Sequence, residues 1–146
     1  MNNWFECKIK YEKTTDDGKI ASVNENYLVD ALSFTEAESR IIEEMKPFIS
    51  GEFSVSGIKR ARISELFPSD DEEADKWYRC KVFYLTIDEE KGIEKRTGVT
   101  MLVQAADLKG ALEGLVKGME TYMGDYEIAS IAETTLMDVY PYEAEK

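Results

Sequence analysis

Residues 4–11 read Trp4-Phe5-Glu6-Cys7-Lys8-Ile9-Lys10-Tyr11, and residues 77–84 read Trp77-Tyr78-Arg79-Cys80-Lys81-Val82-Phe83-Tyr84. The Trp, Cys, Lys and Tyr of the first stretch recur in the second at a shift of 73 residues, counted from Trp4 to Trp77. Apolar and polar residues alternate in both stretches, which is the period of a β-strand with one wet face. Two related strands therefore open two related parts of the chain.

The agreement between the two parts continues to the end of the chain. The second part contains one extra residue after its first strand, so the shift becomes 74, counted from Leu28 to Leu102. With this shift, Leu28-Val29-Asp30-Ala31 matches Leu102-Val103-Gln104-Ala105. Near the end, Glu65-Leu66-Phe67 matches Asp138-Val139-Tyr140. Because similarity at a fixed period is typical of repeat architectures, the sequence predicts a tandem duplication. Its predicted parts are a first repeat at residues 3–67, an acidic linker at 68–76 and a second repeat at 77–142.

Each repeat is predicted to run strand, strand, helix, strand. Ser33-Phe34-Thr35-Glu36 fits a capping box, in which the serine oxygen accepts from a free helix N–H, so the first helix begins near Phe34. Asp107 is the matching cap of the second helix. Apolar residues follow each cap at the helical period, which gives each helix one face that can cover a sheet.

The third strands, at about residues 53–66 and 126–139, determine the predicted architecture. Their apolar pattern slips by one position, which indicates a bulge near Gly57 or Ser130. A strand reached through a helix lies parallel to the strand before it, with room for the first strand between them. The predicted fold class is α+β, a pseudo-twofold six-stranded sheet or barrel-like assembly with two helices in one compact domain.

The composition excludes several kinds of active site. The chain of 146 residues has no histidine, 18 basic and 30 acidic residues, and a net charge of −12. Without histidine, a Ser-His-Asp triad is excluded, and an ordinary zinc site would need more than Cys7 and Cys80. We expect these cysteines to be buried free thiols, with a disulfide or redox pair as the alternative. No catalytic residue, cofactor or metal is predicted, so the protein is not expected to be an enzyme.

The cellular location is predicted from the amino terminus and from the apolar runs. Met1-Asn2-Asn3-Trp4-Phe5-Glu6 has neither a basic start nor an apolar segment of a secretory signal. The apolar runs elsewhere are too short to span a bilayer. We therefore expect a cytoplasmic protein that does not act in a membrane.

The least ordinary feature is a row of glycines on the second helix, Gly110, Gly114 and Gly118. In the first repeat their counterparts are Glu36, Arg40 and Glu44. Each glycine weakens a helix by about 1 kcal/mol relative to alanine, so three on one face need a reason. The functional interpretation is a bare backbone surface that binds a partner helix or strand. The alternative is an exposed face under relaxed selection.

A second hypothesis is binding of single-stranded nucleic acid. Trp4 and Trp77 could stack on bases, and Lys59, Arg60 and Arg62 form a basic cluster. The net charge of −12 opposes this function, because it repels a polyanion. A third hypothesis is a small-molecule sensor or an enzyme that uses carboxylates in a cleft between the repeats.

Three stretches also resemble a known family: Asn3-Trp4-Phe5-Glu6-Cys7-Lys8, Tyr27-Leu28-Val29-Asp30-Ala31-Leu32-Ser33-Phe34-Thr35-Glu36-Ala37-Glu38 and Leu136-Met137-Asp138-Val139-Tyr140-Pro141-Tyr142. The chain resembles an uncharacterised family of short proteins, a domain of unknown function found in gut Bacteroidota and their phages. The resemblance implies an intracellular setting and a phage or mobile-element gene, and it brings no site residues. The leading prediction is a non-enzymatic binding module of unknown role with a protein partner.

Overall fold

The structure of the protein is a computed structural model, which describes residues 3–142. Met1 and Asn2, on which the predicted location partly rests, lie outside the described residues. The elements follow one another as β1 (Trp4–Thr14), β2 (Ile20–Asp30), α1 (Phe34–Met45), β3 (Phe53–Ala61), β4 (Glu65–Phe67), β5 (Lys76–Asp88), β6 (Ile93–Ala105), α2 (Leu108–Gly118), a 3-10 turn (Met119–Thr121), β7 (Asp125–Glu133) and β8 (Leu136–Tyr140).

The eight strands form two mixed sheets of four strands each. One sheet has the order β3-β1-β2-β8 and the other has the order β7-β5-β6-β4. In both sheets the first three strands are antiparallel neighbours, and the fourth strand is parallel to its neighbour. The predicted α+β class with two α-helices is confirmed.

The predicted six-stranded sheet or barrel-like assembly is wrong. Each long third strand breaks in two, at residues 62–64 between β3 and β4 and at residues 134–135 between β7 and β8. The last piece then joins the sheet that contains the first two strands of the other predicted repeat. This exchange gives the edges of β2 and β6 a hydrogen-bonded neighbour, which an open sheet edge otherwise lacks. The described residues form two open sheets, not a closed barrel.

The exchanged strands decide how the chain divides in space. Unit 1 comprises the residues up to Arg62 together with those from Thr135 onward, and unit 2 comprises Ile63–Thr134. Each unit therefore contains one four-stranded sheet and one α-helix. β4 and the linker belong to unit 2, although the predicted first repeat ends at Phe67.

The predicted bulge lies where the apolar pattern slips. In unit 1 the pairing of β1 with β3 shifts register just after the Lys8–Gly57 pair. In unit 2 the pairing of β5 with β7 shifts just after the Lys81–Ser130 pair. A bulge places two residues of one strand against one of its partner, so both patterns are explained. The prediction of a bulge near Gly57 or Ser130 is confirmed.

In unit 1, α1 begins at Phe34 as predicted, because Oγ of Ser33 accepts from the N–H of Glu36 at 3.1 Å. The apolar stripe of α1 faces the sheet, where full burial of one large aliphatic side chain contributes about 1.5–3 kcal/mol. The buried residues packed together between α1 and its sheet are Phe5, Cys7, Ile9, Tyr27, Val29, Ala31, Ala37, Ile41 and Met45.

In unit 2, α2 begins after Asp107, whose Oδ1 accepts from the N–H of Gly110 at 2.7 Å. This is the predicted cap, and it satisfies a backbone donor that has no partner within the helix. The residues buried between α2 and its sheet are Tyr78, Cys80, Val82, Met101, Val103, Ala105, Ala111, Leu115 and Met119.

Both helices are short compared with the thickness of a bilayer. α1 has 12 residues and α2 has 11. A helix that crosses the hydrocarbon core needs about 20 apolar residues. Within residues 3–142, no helix has the length and apolar character of a membrane span.

Candidate functional site

The three glycines of α2 form a half-buried edge of the helix, next to β4. A Cβ added to Gly118 would lie 2.6 Å from Cε1 of Phe67, closer than real Cβ atoms approach. A Cβ added to Gly114 would lie 3.0 Å from Cγ1 of Val103. The absence of side chains at these positions lets the sheet and β4 lie close to the backbone of α2. Phe67 therefore occupies the Gly118 end of the predicted binding surface.

Beyond Phe67, a groove opens between α2 and the linker. It has a volume of about 830 Å³. Residues 67–71 and 73–74 form one side, residues 103–107 form the base, and Gly110, Gly114, Lys117 and Gly118 form the other side. All of these residues belong to unit 2. We call this cavity the α2 groove.

Hydrogen bonds hold the linker in place as a wall of the α2 groove. The N–H of Ser69 donates to Oε1 of Gln104 at 3.0 Å, and the N–H of Asp71 donates to Oγ of Ser69 at 3.1 Å. The N–H of Ala74 donates to the carbonyl of Asp71 at 3.0 Å, and Ala74 is only 6% exposed. This linker wall is thus bonded both to β6 and within itself.

The charged residues that line the α2 groove are mostly acidic. It includes Asp70, Asp71, Glu73 and Asp107, while Lys117 is its basic residue. The three linker carboxylates are exposed, and Oδ1 of Asp107 is the acceptor that caps α2. A concave surface with an excess of one charge attracts groups of the opposite charge. The groove therefore favours a cationic ligand.

Unit 1 has a related cavity beside α1, but a side chain crosses it. Arg40 stands where α2 has Gly114, in the alignment of the two predicted repeats. Its Nη1 donates to the carbonyl of Asp30, and its Nη2 donates to the carbonyl of Pro141 at 3.2 Å. The guanidinium carbon lies 5.5 Å from the ring centroid of Tyr142. The remaining cavity measures about 360 Å³.

The two tryptophans of the nucleic-acid hypothesis are buried. Trp4 and Trp77 are each 4% exposed. Trp4 precedes Phe5 on β1, so by strand alternation it lies on the sheet face away from α1. Stacking on a base requires an accessible ring face, which neither indole presents.

The basic residues of the same hypothesis do not lie on one surface. Lys59 pairs with Glu6 across the strands, and its Nζ lies 3.3 Å from the Oε2 of that carboxylate. Arg60 projects to the opposite face, where its guanidinium carbon lies 5.1 Å from the ring centroid of Phe5 and 5.5 Å from that of Phe34. Arg62 is exposed and follows the end of β3. The sheet thus separates Lys59 from Arg60.

Cys7 and Cys80 are free thiols in the cores of unit 1 and unit 2, and each is 0% exposed. Burial raises the pKa of Cys7 to about 12, with a smaller contribution from the charge of Glu6. Burial also raises the pKa of Cys80 to about 11. Because the thiolate is the reactive form, these side chains are unreactive in the folded protein at neutral pH.

We therefore expect no labelling of the folded protein by iodoacetamide at pH 8 and labelling of both Cys7 and Cys80 in guanidinium chloride. Intact mass spectrometry measures this directly. The folded pKa of Cys7, about 12, exceeds the unfolded one. Below the unfolded pKa of about 8.5, the Cys7 thiol is neutral in both states, and its contribution to the free energy of unfolding is complete. As the pH rises from there through the folded pKa, the unfolded state loses the proton more readily than the folded state, so this contribution is lost. Rapid labelling of either thiol in the folded protein would contradict the buried placement.

Carboxylates in the described part of the chain are not gathered into a metal-binding cluster. Among residues 3–142, no group of three or more Cys, Asp or Glu side chains is placed to hold a metal ion. Among the described residues, Asp30 is a buried carboxylate and is 6% exposed. Its Oδ1 accepts from the N–H of Asn3 at 3.1 Å, so it holds the start of β1 against the end of β2.

Sequence reasoning missed the importance of Phe67, Arg40 and the linker wall. The alignment of the repeats already placed Arg40 opposite Gly114, and this difference was a usable signal. The contact of Phe67 with Gly118 had no such signal, because it requires β4 to join the sheet beside α2.

The comparisons with known proteins identify a family without an assigned activity. A family model described as "Domain of unknown function (DUF4494)" matches residues 3–142. Comparison with curated proteins gives no match. The predicted resemblance to an uncharacterised domain of unknown function is thereby confirmed. Because the match covers both units almost completely, the chain belongs to the DUF4494 family, whose function is unknown.

Proposed function

We propose that the protein is a non-enzymatic binding module and that the α2 groove holds a segment of a protein partner. The observation that carries this proposal is the contrast between the two helices. At the position where α1 has Arg40, α2 has Gly114, beside a groove of about 830 Å³. The glycine leaves open a space that a side chain crosses in unit 1.

We infer that the two units arose by duplication of one ancestral unit. They share the order of strands, the position of the bulge and the position of the helix cap. Under this history, both cavities descend from one ancestral cavity. Divergence then closed the cavity of unit 1 with Arg40, or opened the cavity of unit 2 at Gly114.

The size of the α2 groove and the hydrogen bonds of its linker wall support a binding function. Ligand pockets commonly have volumes of about 300–1,000 Å³, and the groove falls within this range. Its linker wall is already held by hydrogen bonds of Ser69, Asp71 and Ala74. A wall that is ordered before binding reduces the entropy lost when a ligand binds.

The glycines themselves add a further argument. Gly118 is explained by its contact with Phe67, whereas Gly114 also borders the open part of the groove. A helix interior glycine is less stable than alanine by about 1 kcal/mol. Gly114 therefore serves the close packing against Val103 and, in this proposal, also keeps the groove open at this edge of the helix.

The non-enzymatic part of the proposal rests on the chemistry of the chain. The sequence contains no histidine, the residue most often used as a general base near neutral pH. Burial also raises the pKa of both thiols, which opposes their use as nucleophiles. Binding through shape and charge needs neither group.

Selection from a phage-displayed library of random peptides tests the proposal. The wild-type protein is the target, and Gly114→Arg is the comparison because its side chain would fill the groove. We expect selected peptides to bind the variant at least about tenfold more weakly, a change equal to about 1.4 kcal/mol. Leu112→Arg is the matched control, since it adds the same charge to α2 at a residue that is 45% exposed and outside the groove lining.

The control should bind the selected peptides as the wild type does. If the peptides bind wild type and Gly114→Arg equally, the α2 groove is not their site and the proposal is wrong. Circular dichroism and unfolding by urea would show that both variants remain folded.

A further inference from the structure

We infer that the α2 groove binds an arginine side chain of the partner, in the way that the cavity of unit 1 holds Arg40 of its own chain. The inference rests on the proposed function, because it names the chemistry of the segment that the groove holds. In unit 1 the guanidinium group belongs to the chain itself, whereas unit 2 accepts the same group from another molecule.

Unit 1 shows how this cavity binds a guanidinium group. Arg40 donates through one nitrogen to the carbonyl of Asp30 and through the other to the carbonyl of Pro141. Its guanidinium carbon lies over the ring of Tyr142, 5.5 Å from the centroid. Guanidinium is a planar fork with several N–H donors, so it can bridge two acceptors that a lysine ammonium would contact less well.

The first of these acceptors has a counterpart in unit 2. Asp30 lies opposite Trp4 in the pairing of β1 with β2, and Gln104 lies opposite Trp77 in the pairing of β5 with β6. The backbone carbonyl of Gln104 therefore occupies the same place in its sheet as the carbonyl that accepts from Arg40.

The orientation of the Gln104 carbonyl follows from its neighbours. The carbonyl of Trp77 accepts from the N–H of Thr134 at 2.9 Å, on the side of β5 that faces β7. In an antiparallel ladder this makes Trp77 and Gln104 a pair that is not hydrogen-bonded, so the Gln104 carbonyl points away from β5. It points toward the linker side, where Gln104 lines the α2 groove.

The linker leaves this carbonyl available to a ligand. The pairing of β4 with β6 ends at Phe67 and Val103, one residue before Gln104. The next N–H of the linker, that of Ser69, donates to the side-chain Oε1 of Gln104 and not to its backbone oxygen. In unit 1 the corresponding backbone oxygen is the one that accepts from Arg40.

The second acceptor also has a counterpart. Tyr140 lies opposite Val29 and is followed by Pro141, while Phe67 lies opposite Val103 and is followed by Pro68. Pro68 lines the α2 groove, as Pro141 lines the cavity of unit 1. Both cavities are thus lined by a proline that directly follows an aromatic residue of the exchanged strand.

The charges of the α2 groove favour a cation at this position. Asp70, Asp71 and Glu73 lie along its linker wall. They add attraction that the cavity of unit 1 does not need, because Arg40 is already part of the chain. The long-range field of these carboxylates would also raise the rate at which a basic peptide is captured.

Titration with N-acetyl-argininamide tests the inference, with N-acetyl-lysinamide as the comparison probe. Two-dimensional ¹⁵N NMR of the wild-type protein should show saturable shifts of the amides of Ser69, Gly110 and Gly114. For a single side chain we expect a dissociation constant on the order of 1–10 mM. The lysine probe should bind at least about tenfold more weakly, which corresponds to the loss of one charged hydrogen bond.

Two variants separate this inference from general attraction between charges. Gly114→Arg should abolish the shifts, whereas Leu112→Arg, with the same added charge, should keep them. Arg40→Ala should open the cavity of unit 1 and add a second set of saturable shifts, at Asp30 and Tyr142. The amide spectrum of each variant without probe shows whether it is folded.

The outcomes also distinguish this inference from the proposed function. Equal binding of both probes, or no saturable shift with the arginine probe, overturns the arginine inference. If displayed peptides without arginine require an open Gly114, the binding module stands and the arginine inference is wrong. If no peptide distinguishes wild type from Gly114→Arg, both are wrong.

Discussion

Replacement of Phe5 by alanine should lower the free energy of unfolding by about 3–5 kcal/mol. Phe5 is 0% exposed and lies in the core between α1 and its sheet. Its ring also packs edge-on against Phe34, with the centroids 4.9 Å apart. The substitution removes apolar contacts and leaves a cavity that the surrounding strands cannot fill by small shifts. Urea unfolding followed by circular dichroism measures the loss.

Phe48→Ala is the matched control for this prediction, because it removes the same side chain from a residue that is 76% exposed. Its effect should stay within about 0.5 kcal/mol. Similar losses for Phe5→Ala and Phe48→Ala would contradict the assignment of Phe5 to the core.

Gly118→Ala should destabilise the protein by about 1–3 kcal/mol, although alanine is the better helix former. The added Cβ would overlap the ring of Phe67, which would have to shift together with β4. In a Phe67→Ala background the overlap is gone. There, Gly118→Ala should be neutral or stabilising by up to about 1 kcal/mol. The sign of the effect therefore reverses with the presence of the ring.

A double-mutant cycle by urea unfolding measures this coupling. Gly110→Ala is the control, because its Cβ would meet Asp107 and Ala105 and not Phe67. Its effect should be the same with Phe67 and with alanine at that position. If Gly118→Ala had equal effects in both backgrounds, β4 would not lie against α2 as the structure places it.

This contact also matters for the proposed function. β4 brings the start of the linker to the edge of β6, and the linker then forms the wall of the α2 groove. A substitution that displaces Phe67 would therefore move the wall as well. Loss of peptide binding in Gly118→Ala would be explained by this movement and would not by itself identify the binding site.

The sequence by itself determined the features that depend on neighbouring residues. Ser33 and Asp107 mark the helix starts because their side chains reach backbone N–H groups within the next turn. The alternation in Trp4-Phe5-Glu6-Cys7 shows that Phe5 and Cys7 share the sheet face that α1 covers, but it does not show that Trp4 on the other face is buried as well. The slip of the apolar pattern near Gly57 indicates the bulge, since an extra residue in a strand moves the side chains that follow it to the other face of the sheet.

The candidate site was only partly predictable from the sequence. The period of the helix placed Gly110, Gly114 and Gly118 on one edge, and the repeat placed Arg40 opposite Gly114. Neither pattern shows what lies across from that edge. The carbonyl groups that accept from Arg40 come from Asp30 and Pro141, and the latter is 101 residues away along the chain.

Only the tertiary structure decided which sheet receives the end of each third strand. The short apolar stretch Leu66-Phe67 could pair with any open strand edge, because backbone hydrogen bonds carry no information about the partner strand. The choice depends on long-range packing, here the fit of Phe67 against Gly118. That choice turned the predicted six-stranded assembly into two four-stranded sheets, and it made the linker one wall of the α2 groove.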